Sequence, residues 1–119
     1  MAVTTFHYSG NMESIAAVEA LSSLAQETRL AIFRLLVRAG RDGLPAGEIA
    51  QALDIAPSSL SFHLAQLTRA GMVTQARQSR HLIYRADFAA MNRLVDFMLE
   101  NCCEGESCEA GPRLAERTC

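Results

Sequence analysis

Between residues 12 and 70 apolar side chains recur at helical spacing, and beyond residue 71 they recur as in strands. A first helix is predicted over residues 12–22, with Ile15, Val18 and Leu21 on one side. Ile32, Leu35 and Leu36 mark a second over 28–39, which Gly40 ends. Residues 41–44 read as a loop, and a short third helix follows over 46–53. Asp54-Ile55-Ala56 makes a three-residue turn, after which Pro57 opens a fourth helix where no backbone donor is needed. That helix ends at Ala70-Gly71. Two short helices joined so tightly form a helix-turn-helix unit. Residues 72–78 and 81–85 contain Val73, Thr74, Ile83 and Tyr84 on either side of Ser79-Arg80, the pattern of a β-hairpin. Asp87 then caps a last helix predicted to run to about Cys103. The expected architecture is mainly α with a β-hairpin wing: a winged helix-turn-helix.

With 119 residues, half of them apolar, the chain has room for one domain with a real core. The expected division is a domain over 12–103 and a short Cys-containing tail over 104–119. Residues 1–11 lack the basic and apolar regions of a signal peptide. The most apolar window, 30–37, is interrupted by Arg34 and is too short to span a bilayer. A cytoplasmic protein without a membrane partner is expected. No Gly-rich phosphate loop, nucleophile elbow or suggestive His–carboxylate spacing is present, which argues against an enzyme.

The net charge of −2 argues weakly against a nucleic-acid partner, but its distribution points the other way. Residues 23–86 carry eight Arg against four acids, whereas residues 87–119 carry three Arg against seven acids. A cationic middle between acidic ends points to a DNA face on the middle segment. There is no lysine, so every cation is a guanidinium able to grip phosphate bidentately.

If Leu60, Leu64 and Leu67 form the buried side of the fourth helix, Ser58, Phe62, Ala65, Gln66 and Arg69 project outward, with Ser59, Ser61 and His63 on the flanks. Small hydroxyls let such a helix enter a major groove, and Gln66 suits an adenine edge. The serines also read as simple capping and Gln66 as solvated. Phe62 either presses on a thymine methyl or packs under the hairpin, the second reading being favoured. His63 reads as structural or phosphate-contacting rather than as a switch. Arg77 and Arg80, with His81 beside them, suit phosphate or minor-groove contact from the hairpin.

The run Ser58-Ser59-Leu60-Ser61-Phe62-His63-Leu64-Ala65-Gln66-Leu67-Thr68-Arg69-Ala70-Gly71-Met72-Val73 resembles the recognition-helix segment of the ArsR/SmtB family of metalloregulatory repressors. Leu24-Ala25-Gln26-Glu27-Thr28-Arg29-Leu30-Ala31-Ile32 is similar to another of the family's segments, and Arg77, Arg80 and Tyr84 resemble its wing. The resemblance covers roughly residues 12–103. It implies a homodimer, joined through the N- and C-terminal helices, that binds an inverted repeat in double-stranded operator DNA and leaves it when a metal or metalloid binds. Phe88, Met91, Val95, Met98 and Cys102 alternate at spacings suited to a partner helix, an expected dimer seam.

The family's sensing sites vary in place, and two usual ones have no counterpart: residues 1–101 lack Cys, and residues 87–101 lack His. What remains is Cys102, Cys103 and Cys108, with Cys119 as a fourth candidate. Clustered cysteines in a cytosolic protein point to metal or redox chemistry rather than to a disulfide framework. Three thiolates without an imidazole make a soft, low-coordination site, whereas Zn²⁺ normally takes four ligands. As(III) or Sb(III) takes three thiolates in a trigonal pyramid. The arrangement is also similar to that of arsenite-responsive members with cysteines after the last helix, so arsenite is the leading expected inducer. Methylated arsenite on Cys102 and Cys103, Zn or Cd on four cysteines, and a redox disulfide remain alternatives. So does a metal-buffering or interaction protein that binds no DNA.

Overall fold

The computed structural model describes residues 12–100. Local signals set most of its elements. Helix α1 spans Ser14–Leu24. Helix α2, Glu27–Ala39, begins where the Gln26 side chain accepts a hydrogen bond from the Arg29 backbone N–H at 2.9 Å, satisfying one donor that a helix start leaves open. A single 3₁₀ turn, Gly40–Asp42, leads to strand β1, Leu44–Pro45. Helix α3, Ala46–Leu53, ends at Asp54, which takes the left-handed conformation (φ 57°). Helix α4, Pro57–Arg69, follows with Pro57 in its first turn. Strands β2, Val73–Gln78, and β3, His81–Ala86, form the hairpin. Ser79 in the turn has φ 59°, the sign that two-residue hairpin turns require. Helix α5, Phe88–Met98, starts where the Asp87 carboxylate accepts from the Ala90 N–H at 3.0 Å.

Two expectations are corrected. Part of the segment read as a loop is a strand: Leu44 pairs with Tyr84 and Pro45 with Ile83, making an antiparallel sheet of order β1-β3-β2. Two residues carry no periodicity, so no pattern in the chain announces β1. The last helix ends at Met98 rather than near Cys103. Leu94 is its last buried side chain, and beyond it only Phe97 packs partly on the core. The helix closes with Leu99 N–H on the Val95 carbonyl (3.1 Å) and Glu100 N–H on the Phe97 carbonyl (3.2 Å), a tightened final turn. Phe88, Met91, Val95 and Met98 of the expected seam lie on this helix, and Cys102 lies outside the described residues.

The core gathers Ile32, Phe33 and Leu36 of α2, Ile49 of α3, Leu60, Leu64 and Leu67 of α4, Met72 and Val73 at the hairpin base, and Ala90 and Leu94 of α5. Each large side chain so buried stabilises the fold by about 1.5–3 kcal/mol. The three leucines fix the roll of α4, and with it the side that faces outward. Helix α1 meets the core through small residues, Ala17, Ala20 and Ser23, so it lies close. Its larger apolar residues point away: Ile15 is 71%, Val18 63% and Leu21 42% exposed. On α5, Phe88 and Met98 are exposed while Met91 and Val95 are half-buried. No helix among the described residues is long and apolar enough to cross a membrane.

Candidate nucleic-acid interface

Helix α4 turns about 100° per residue, so burial of its leucine side determines three other directions. Ser58, Phe62, Ala65 and Arg69 face outward and are exposed, with exposed Ser59 and Ser61 beside them. His63 and Gln66 lie half-buried on the flank toward α1 and α2, and Thr68 half-buried on the flank toward the hairpin. Gln66 is thus less outward than expected: it lines a cleft of about 240 Å³ with Glu19, Ser22 and Ser23 of α1 and Arg29 of α2.

Phe62 does not pack under the hairpin. The groove between α4 and the hairpin is lined on the helix side by Ser61, Leu64, Ala65, Thr68 and Arg69, and Phe62 is not among them. Phe62 is 58% exposed, its ring edge-on to that of His63 with centroids 5.6 Å apart. This leaves it a free apolar edge on the outward side, the shape that a thymine methyl fits.

His63 has a structural partner. Its Nδ1 lies 3.4 Å from the Arg29 Nη1. A guanidinium only donates, so Nδ1 accepts and the ring proton belongs on Nε2. Arg77, Arg80 and His81 are all exposed around the hairpin turn. Arg85 is engaged elsewhere: its Nε donates to the Arg41 carbonyl at 2.6 Å and ties the hairpin to the segment after α2.

Sequence reasoning missed the groove between α4 and the hairpin. It holds about 330 Å³, lined by Ser61, Ala65, Thr68 and Arg69 of α4 with Gln75 and Tyr84, which face each other across the strands. The Thr68 Oγ1 is buried there and has no hydrogen-bond partner among the described residues. Tyr84 was legible as a wing residue; that it shares a groove with Thr68 was not, because no local pattern links positions on a helix and a strand. Hydroxyls, a phenol, an amide and a guanidinium line this groove, groups that contact phosphate and sugar in protein–DNA complexes.

Cys102, Cys103, Cys108 and Cys119 lie outside the described residues, as does the tail over 104–119. Among the described residues no group of three His, Cys, Asp or Glu side chains could hold a metal ion.

Comparison with known proteins agrees with this geometry. A helix-turn-helix domain model matches residues 24–76. A Halobacterium salinarum protein named for repression of an arsenical resistance operon is 41% identical over 70 residues, which cover 59% of this chain and 54% of that protein. The chain therefore spans about half the length of that relative. The structure of an ArsR-like transcriptional regulator from Rhodococcus superposes with a TM-score of 0.66 at 27% identity, covering 86% of this chain and 89% of the other. The transcriptional regulator HlyU of Vibrio vulnificus is 33% identical, with a TM-score of 0.55, over 71% of this chain and 88% of its own. Together with a helix-turn-helix whose outward side is exposed and a hairpin set beside it, these matches establish that the chain belongs with the helix-turn-helix transcriptional regulators of the ArsR/HlyU type.

Proposed function

We propose that the chain is a transcriptional repressor that binds an inverted repeat in duplex DNA as a homodimer and releases it when trivalent arsenic binds its C-terminal thiolates. The observation that carries the DNA reading is the exposure of Ser58, Phe62, Ala65 and Arg69 along one side of α4, together with that of Arg77, Arg80 and His81 around the hairpin turn. A helix presenting small hydroxyls enters a major groove, and flanking guanidiniums neutralise phosphates. The homodimer is supported by the bare Ile15, Val18 and Leu21 of α1 and by Phe88 and Met98 of α5, an apolar surface that a second copy would cover. Two copies would set their recognition helices about one DNA turn apart.

The inducer is inferred from chemistry. Cys102, Cys103 and Cys108 supply three soft thiolates, enough for arsenite or antimonite, with Cys119 as a further thiolate within the same tail. Binding there would favour dimer geometries that fit the operator poorly, and by linkage DNA would weaken arsenite binding equally.

A gel shift with the DNA upstream of the protein's own gene, with and without arsenite, tests both parts. The expected result is a retarded band that arsenite abolishes. Cys102→Ser and Cys103→Ser should each keep the band and lose its sensitivity to arsenite; release unchanged in both variants eliminates the thiolate site. No band under any condition, with arsenite still bound by the chain, points instead to a metal-buffering protein. Release by peroxide rather than arsenite marks a redox sensor.

The hairpin makes a separate prediction. Replacing Arg77 and Arg80 by Gln should weaken binding to all duplexes alike and flatten the log–log salt dependence by about one for each phosphate no longer neutralised. The check is operator affinity measured across a salt series; an unchanged slope removes the wing from the interface.

A further inference from the structure

We propose that Arg29 is a positioning residue, a strut that sets the angle of the recognition helix relative to α1; this rests on the DNA-binding reading above. Arg29 touches three elements. Its backbone N–H takes part in the cap of its own helix, bonded to the Gln26 side chain. Its Nε donates to the Ser23 carbonyl, in the last turn of α1, at 2.7 Å. Its Nη1 reaches the His63 Nδ1 on α4, 34 residues away in sequence, at 3.4 Å.

The bond to Ser23 is the firmer of the two side-chain links. Carbonyls in the final turn of a helix lack partners within it and carry its negative pole, so a guanidinium there is doubly favoured. Ser23 is itself held, since it is buried and its hydroxyl donates to the Ala20 carbonyl at 2.8 Å. One end of the strut is therefore anchored in the core. The other end meets an imidazole whose ring abuts Phe62 on the outward side of α4. A shift of α1 would reach the DNA-facing surface through Ser23, Arg29, His63 and Phe62 in turn.

The cleft beside the strut explains why the link matters. Where the C-terminal halves of α1 and α4 approach, side chains leave a space of about 240 Å³ bordered by Glu19, Ser22, Gln66 and Arg69. Arg29 lines this cleft and bridges the two helices beside it. The cleft is a poor anion seat despite its two arginines, because Glu19 and the C-terminal ends of both helices border it. Helix α1 also carries the stripe proposed to meet a second copy. In a dimer, the strut would set how far apart the two recognition helices stand.

The test uses the full chain and fluorescence anisotropy on three duplexes: the operator, the operator with one base pair inserted between half-sites, and a single half-site. Wild-type protein should prefer the native spacing. Arg29→Lys supplies one compact ammonium that cannot span both acceptors, and His63→Leu removes the acceptor on α4. Both should bind the half-site within about threefold of wild type yet lose about tenfold of the spacing preference, a typical size for coupling between sites. His63→Asn, whose Oδ1 can accept where Nδ1 does, should restore the preference. Thermal unfolding of each variant separates loss of fold from loss of position, and the His63 pair supplies the answer if the Arg29 variant does not fold. Full spacing preference in Arg29→Lys and His63→Leu, or failure of His63→Asn to rescue, overturns the strut while leaving DNA binding intact. A wild-type chain that binds none of the three duplexes rejects the DNA reading itself, and the strut's role with it.

Discussion

Replacing Gly43 by Ala should destabilise the chain by roughly 2–4 kcal/mol, at the high end for single substitutions, and should separate β1 from β3. Gly43 has φ 67°, where an L side chain is strained. The surroundings add to that strain. A Cβ at this position would collide with the Tyr84 carbonyl oxygen and come within 2.7 Å of Arg85 Cγ and 2.9 Å of Ile83 Cγ2. The carbonyl belongs to the backbone of β3, in the register where Leu44 pairs with Tyr84, so it cannot move without breaking the pairing. Gly40 provides the control. It has φ 73°, but nothing lies within 4 Å of where a methyl group would stand. Gly40→Ala should therefore cost only the conformational part, about 1–3 kcal/mol. Urea unfolding followed by circular dichroism measures both variants. Equal losses would show that the approach to β3 contributes nothing.

Replacing Ala65 by Glu should reduce operator affinity by about 100-fold or more, since a well-made base contact alone is worth about 1–3 kcal/mol and a buried carboxylate would also face phosphates. Ala65 is exposed on the outward side of α4 and also borders the groove toward the hairpin. Glu is nearly as good a helix former as Ala, so stability should change by no more than about 0.5 kcal/mol. The combination of a large binding loss with an unchanged unfolding midpoint is the expected signature. Wild-type affinity in this variant would place the DNA elsewhere on the molecule. Glu48→Gln, at an exposed position on α3, is the companion measurement. It should bind normally or slightly better, because it removes a negative charge.

Much of the recognition helix is legible in the chain itself, and the reason is local. Leu60, Leu64 and Leu67 repeat at the period of a helix, so their burial is expected and the exposure of Ser58, Ala65 and Arg69 follows from it. Asp87 and Pro57 act within a single turn of the backbone, and both occupy the capping or first-turn positions read for them. Gln66 departs from this by turning half-buried toward α1, and Phe62 departs further, expected under the hairpin and found facing outward. Its environment depends on where the hairpin docks, and that docking is made in the core, where Met72 and Val73 join Leu60, Leu64 and Leu67, out of reach of the local period around Phe62.

The chain by itself determined the helix-turn-helix, the hairpin and the roll of α4, because apolar period, caps and turn residues act over a few positions. Only the tertiary structure decided that Leu44–Pro45 would join β3, that α5 would stop at Met98, and that Arg29 would span from Ser23 to His63. Those features depend on groups brought together from distant parts of the sequence, where a hydrogen bond or a buried contact has no periodic trace to announce it.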